Sequence, residues 1–182
     1  MAEIFELNAK IPQKESKIKY NRSIGSRGEN MAATRLTENY IFDCYVFGGT
    51  TPVFDLILEI NDEKHPYFAA LQVKTRSTMI ARNGILNVTI THDNIIKLIR
   101  LGLPTYLVGV EESTETIYFA PVFDKLKDKN IDYTHGVPIT YTLKPGDKPK
   151  NIENLIKLKN DIIAYTTPIS RRKLLYKTKL KV

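Results

Sequence analysis

The chain has 182 residues, 42% hydrophobic and 26% charged, enough for one good core and short for two. Its single cysteine, Cys44, excludes an internal disulfide and suits a reducing cytoplasm, and no apolar run approaches the length of a membrane span. A formal net charge of +7 favours an anionic partner, nucleic acid first, although a solvated basic tail gives the same count.

The opening residues, Met1-Ala2-Glu3-Ile4-Phe5-Glu6, have neither a basic n-region nor an apolar h-region, so no signal peptide is expected. Residues 1–20 are polar and lysine-rich and read as a flexible lead-in. A helix is expected from Ser23 to Asn39, capped by Asn21 or Ser23. On a helical wheel Ile24, Gly25, Gly28, Met31, Ala32, Ala33, Leu36 and Tyr40 form one arc. Glu29 falls inside that arc, so a glutamate is expected on the buried face.

Ile41 to Phe47 reads as a strand, and Gly48-Gly49-Thr50-Thr51-Pro52 as a loop. Phe54 to Ile60 alternates and reads as the next strand, with Asp55 where the strand leaves the loop. The segment 61–66 turns into a third strand, Tyr67 to Arg76, so the last two strands form a hairpin. In an extended strand successive side chains point to opposite faces. Leu71 and Val73 therefore enter one layer of the core, while Gln72 and Lys74 share the other face with Phe68 and Ala70. A carboxamide and an ammonium on an otherwise apolar strand cost stability unless they have partners.

Ile85 to Ile90 is a further strand, followed by a helix with Thr91 as its cap, Asp93 in its first turn and Gly102 at its end. Pro104 to Val110 reads as a buried strand and Thr116 to Val122 as its hairpin partner. Residues 124–150 are loop-like with a strand near Val137 to Leu143, and Asn151 to Tyr165 has helical spacing. A helix between two strands implies at least one parallel crossover in a mixed sheet. The expected organisation is a lead-in (1–20), a core domain (21–123), an extension packed on it (124–170) and a basic tail (171–182). The tail carries Arg171, Arg172, Lys173, Lys177, Lys179 and Lys181 and no acid.

Glu29, Asp55, Gln72 and Lys74 can meet, because the two hairpin strands are neighbours and the first helix packs over the sheet. Two carboxylates and an amide oxygen are hard ligands suited to Mg²⁺, which keeps waters and binds substrate phosphates. A lysine beside such an ion can orient the attacking water and offset phosphoryl charge. That set fits hydrolysis of a phosphodiester.

With Gly28-Glu29 on the first helix, Asp55 after a glycine-bearing loop and Gln72-Val73-Lys74 on the following strand, the chain resembles the PD-(D/E)xK nuclease superfamily. Its layout is most similar to the Holliday-junction-resolvase-like and Mrr-like branches, and the stretch from Ile24 to Val122 looks like a bacterial domain family of that superfamily. The resemblance implies a restriction-endonuclease-like α/β fold, a central mixed β-sheet flanked by helices. It implies Mg²⁺- or Mn²⁺-dependent cleavage of DNA. By position, Asp55 would be the central metal ligand and Glu29 the helix-borne acid. Gln72 would stand where most members have Asp or Glu, Val73 would offer a backbone carbonyl, and Lys74 would be the lysine of the motif. The sequence departs from the pattern in two places: Pro52 is separated from Asp55 by Val53 and Phe54, and Gln72 is neutral.

Blander readings exist for each residue. Glu29 could pair with Lys74, Asp55 could cap its loop, and Gln72 and Lys74 could lie on a solvated face. Arg76, Ser77 and Arg82 follow the strand and, with Arg171, Arg172 and Lys173 of the tail, are candidates to hold DNA phosphates; exposed polarity accounts for them equally well. His92-Asp93 fits helix capping, and Cys44 fits a core position. The expected partner is DNA, with no membrane, and cutting both strands of a duplex would suit a homodimer. Two alternatives stand beside the nuclease: a catalytically degenerate nucleic-acid-binding module, and an interaction protein of a defence or toxin system.

Overall fold

The computed structural model describes residues 13–47, 53–60, 65–75, 85–122, 138–145 and 152–166. The elements run α1 (Gln13–Thr37), β1 (Asp43–Val46), β2 (Leu56–Ile60), β3 (Tyr67–Thr75), β4 (Leu86–Thr91), α2 (His92–Arg100), β5 (Thr105–Glu111), β6 (Thr116–Pro121), β7 (Pro138–Pro145) and α3 (Ile152–Thr166). The strands form one sheet in the order β1-β2-β3-β5-β6-β7-β4. β1, β2 and β3 make an antiparallel meander. β3 and β5 are parallel, the crossover implied by the helix between them. β5–β6, β6–β7 and β7–β4 are antiparallel. This is the mixed sheet flanked by helices expected of a restriction-endonuclease-like α/β chain.

Alternation sorts the side chains into two cores. Ala69, Leu71 and Val73 of β3 join Tyr106, Val108 and Val110 of β5 beneath Ala32 and Leu36 of α1 and Leu155, Leu158 and Ile162 of α3. On the opposite face Leu107 and Tyr118 pack with Leu86, Val88 and Ile90 of β4 and Ile95 and Leu98 of α2. β5 is buried at every position, which is why its Tyr-Leu-Val run lacks a polar alternate. Gln72 lies between Leu71 and Val73 in β3 and pairs with Leu107 across the parallel ladder, so it belongs to the α2 face.

The structure corrects several sequence expectations. Helix α1 begins at Gln13 rather than Ser23, so residues 13–20 are helical and neither Asn21 nor Ser23 caps it. Lys, Glu, Gln and Ile extend a helix by propensity without an amphipathic pattern to announce it. The helix ends at Thr37, and Tyr40, expected on its apolar arc, stands 97% exposed at a φ of 55°. Thr91 is the N-cap residue of α2 by backbone geometry, but its side chain makes no capping bond. Gly102 does end that helix, with a φ of 68° and its N–H donating to the Ile99 carbonyl. Residues 1–12, the loop 48–52 and the tail 171–182 lie outside the described residues.

Candidate active site

The site forms where β2 stops short of β3. Leu56 is the last residue of β2 in register, opposite Leu71, yet β3 continues to Thr75 with only β5 beside it. Asp55 fills the gap. Its N–H donates to the Leu71 carbonyl at 2.8 Å, and its own carbonyl accepts the Phe47 N–H at 2.9 Å. Phe54, the residue before it, meets the Phe47 ring edge-on with centroids 5.2 Å apart. With its backbone held on both sides, Asp55 turns its carboxylate to β3. There Oδ2 accepts the Val73 N–H at 2.6 Å and the Nε2 of Gln72. The carboxylate thus takes the place of the next β2 residue in the ladder.

Gln72 is buried, 9% exposed, and its amide nitrogen faces Asp55. Lys74, half-buried, follows two positions later on the same face of β3. Glu29 approaches from the other layer. It is half-buried on α1, next to Gly28, which is itself buried against Thr75 at the end of β3. The four residues therefore converge on one edge of β3: Glu29 from the α1 side, Gln72 and Lys74 from the α2 side, and Asp55 in the gap between.

The electrostatics follow from that placement. Burial pushes the Asp55 carboxyl above its ordinary value, and the Val73 N–H, the Lys74 charge and the Gln72 amide pull it back only in part. Burial also raises Glu29, and the nearby Asp55 charge raises it further. Two carboxylates that disfavour each other's ionised form are a natural place for a cation.

The donor set fits a small hard cation. Among the described residues no group of three or more His, Cys, Asp or Glu could hold a metal. Mg²⁺ is typically bound through one or two carboxylates, with waters and substrate phosphates completing the shell. Asp55 and Glu29 supply that number. Both bonds to Asp55 fall on Oδ2, so Oδ1 is the oxygen not engaged by either. The Val73 carbonyl lies on the same strand edge as its N–H, because an extended residue presents both groups to one side. Gln72 serves Asp55 as a donor through Nε2, and the oxygen end of its amide is the end with lone pairs to offer a cation.

Comparison with known proteins gives distant likenesses. No protein-family model and no curated protein matches the chain. Similar solved structures include the Holliday junction resolvase of Archaeoglobus fulgidus, 17% identical with a TM-score of 0.43 over 63% of this chain and 87% of the resolvase. A bacterial homing endonuclease is 17% identical with a TM-score of 0.44 over 80% of this chain and 97% of that one. A nuclease from a fusselovirus is 12% identical with a TM-score of 0.41, covering 86% and 96%.

Of the residues singled out from the sequence, Glu29, Asp55, Gln72, Val73 and Lys74 are brought together. Arg76, Ser77, Arg82, Arg171, Arg172 and Lys173 lie outside the described residues. One residue at the site escaped sequence reasoning. Thr75 was visible only as the end of a strand, and the signal that could have flagged it was Gly28, a glycine inside a helix where propensity disfavours it.

Proposed function

We propose that the chain is a divalent-metal-dependent nuclease that hydrolyses DNA phosphodiester bonds at the Asp55 edge of β3. The observation that carries this reading is the convergence of two half-buried carboxylates, a carboxamide and a lysine where β2 yields to the Asp55 side chain. The order of these residues along the chain is also the one the PD-(D/E)xK resemblance expects.

Asp55 and Glu29 would hold Mg²⁺ or Mn²⁺, with the Val73 carbonyl and the Gln72 amide oxygen beside them. A metal there supplies Lewis-acid activation of water and of a phosphoryl oxygen. The chain's own groups do the rest. The Val73 N–H and the Gln72 amide fix the Asp55 carboxylate by its Oδ2 and so present Oδ1. Lys74 lies on the Gln72 face, where its ammonium would orient the attacking water and stabilise charge developing on the phosphoryl oxygens. Arg76, Ser77, Arg82, Arg171, Arg172 and Lys173 would contact DNA phosphates and set affinity rather than sequence preference.

One observation favours a second reading. Because the Gln72 nitrogen is bonded to Asp55, a neutral donor stands where a second strand carboxylate would bind metal, which suits a degenerate nucleic-acid-binding module. The test is incubation of plasmid, linear, single-stranded and branched DNA with Mg²⁺, Mn²⁺ or EDTA. Cleavage that needs the metal is expected. A protein that binds these DNAs and cuts none is the binding module instead.

A further inference from the structure

Next to Glu29, the bare backbone of Gly28 meets the side chain of Thr75. A Cβ at position 28 would lie 1.7 Å from Thr75 Oγ1, 2.6 Å from its Cβ and 2.9 Å from its Cγ2. Non-bonded carbons settle at about 3.5–4.0 Å. Any side chain at 28 must therefore lift α1 from β3 by on the order of 1–2 Å. Rotating Thr75 does not relieve the overlap, because its Cβ does not move with χ1 and a β-branched side chain is stiff there. The same close fit buries the Thr75 hydroxyl with no hydrogen-bond partner among the described residues.

The ion pairs that tie α1 to this end of the sheet are softer, and Ala32, one turn on from Gly28, adds only a small apolar contact. Arg27 meets Glu112 at 3.5 Å with its own side chain 60% exposed, and Arg35 meets Glu115 at 2.8 Å where Glu115 is 65% exposed. Exposed ion pairs between long side chains tolerate sliding and hold weakly. They fix which turn faces the β5–β6 hairpin, whereas hard contact fixes how closely the helix rides on the strand. Glu29 is one residue from that contact, and Lys74 is one residue from it on the strand.

We propose that Thr75 is a positioning residue: by abutting the bare backbone at Gly28 it sets the depth of α1 over β3, and so the reach of Glu29 to the Asp55 edge. The inference rests on the metal site of the proposed function. A shift of 1 Å in a site group can lower a rate by about 10²-fold. Supporting contacts of this kind are worth roughly 10–100-fold in metal affinity.

The test is calorimetric titration of the full chain with Mn²⁺, with circular dichroism reporting the fold. Gly28→Ala is expected to weaken Mn²⁺ binding by ~10–100-fold, although alanine is the better helix former. Adding Thr75→Gly, which clears the overlapping atoms, is expected to restore much of the loss. Thr75→Val keeps the branched shape and is expected to keep the affinity. The decisive arm is a double-mutant cycle: in a Glu29→Ala background, Gly28→Ala should change Mn²⁺ affinity less than about twofold, because the group it displaces is gone. Equal weakening with and without Glu29, or wild-type affinity in Gly28→Ala, overturns the positioning role while leaving the metal site standing. A wild type that binds no Mn²⁺ overturns the metal site itself and the positioning role with it. Should Gly28→Ala fail to fold, Thr75→Leu applies the same overlap from the strand side and is read in the same cycle.

Discussion

Asp55 carries two separable loads, and a pair of substitutions separates them. Its Oδ2 accepts both the Val73 N–H and the Gln72 Nε2. In Asp55→Asn the new amide can place its oxygen there and keep both bonds, while the charge and the oxygen proposed to bind the metal are lost. Since burial outweighs the favourable bonds in raising Asp55, removing the charge at neutral pH relieves a penalty. Asp55→Asn is therefore expected to melt at or slightly above the wild-type temperature without metal. Asp55→Ala leaves both donors buried and unpaired, at about 1–3 kcal/mol each. The two together cost roughly 2–6 kcal/mol before the relieved charge is credited, or about 4–24 °C in Tm for a chain of this size, and the credit lowers that figure. Both variants should lose Mn²⁺ binding and cleavage. The assays are thermal melts in EDTA, calorimetric titration with Mn²⁺ and plasmid nicking. If Asp55→Asn is destabilised as much as Asp55→Ala, the charge itself is structural and the reasoning fails.

Lys74→Ala is expected to cut cleavage by about 10²–10⁴-fold while leaving Mn²⁺ affinity near that of the wild type; equal loss of both would make Lys74 a support of the site rather than an actor in it. Gln72→Glu restores a carboxylate but removes the donor to Asp55, so without metal it should melt lower than wild type and with saturating Mn²⁺ recover more; an unaltered Mn²⁺ isotherm would count against Gln72 as a ligand. Glu29 and Asp55 both have folded pKa values above their ordinary ones, so the stability they contribute is present below the ordinary carboxylate values of 4.5 and 3.8 and is lost as pH rises through the raised folded values. The metal-free wild type should lose Tm relative to a Glu29→Gln, Asp55→Asn double variant across that rise, and a gap that moves the other way refutes the assignment. Deleting residues 171–182 removes six cations, which, if all engage duplex phosphates, should reduce the log–log salt slope of DNA binding by about 5; an unchanged slope means the tail does not touch the backbone.

The parts legible in the sequence were those written in local periodicity. Alternation gave β2 and β3 with Leu56, Leu58, Ile60, Leu71 and Val73 inward, and an apolar run gave β5. The site was legible as a set of misfits: a glutamate on a helix face otherwise apolar, and Gln72 and Lys74 on a strand that should bury everything. What escaped depends on non-local geometry. The pairing of β4 with β7 at the far edge of the sheet is set by tertiary packing, and no residue of Leu86–Thr91 names its partner. Whether the Gln72 amide donates to Asp55 or offers its oxygen to a metal is open in the sequence, because it depends on where β2 ends against β3, a single-residue matter of register. The early start of α1 escaped because Gln13–Tyr20 carries helix propensity without an apolar stripe.

The central claim is that the Asp55 edge of β3 holds a divalent ion. Crystals soaked in Mn²⁺ and measured for anomalous scattering test it most directly. The expected result is one strong peak within bonding distance of Asp55 Oδ1 and a Glu29 oxygen, absent from crystals of Asp55→Asn. A map with no peak there at millimolar Mn²⁺, or an equal peak in the Asn variant, contradicts it.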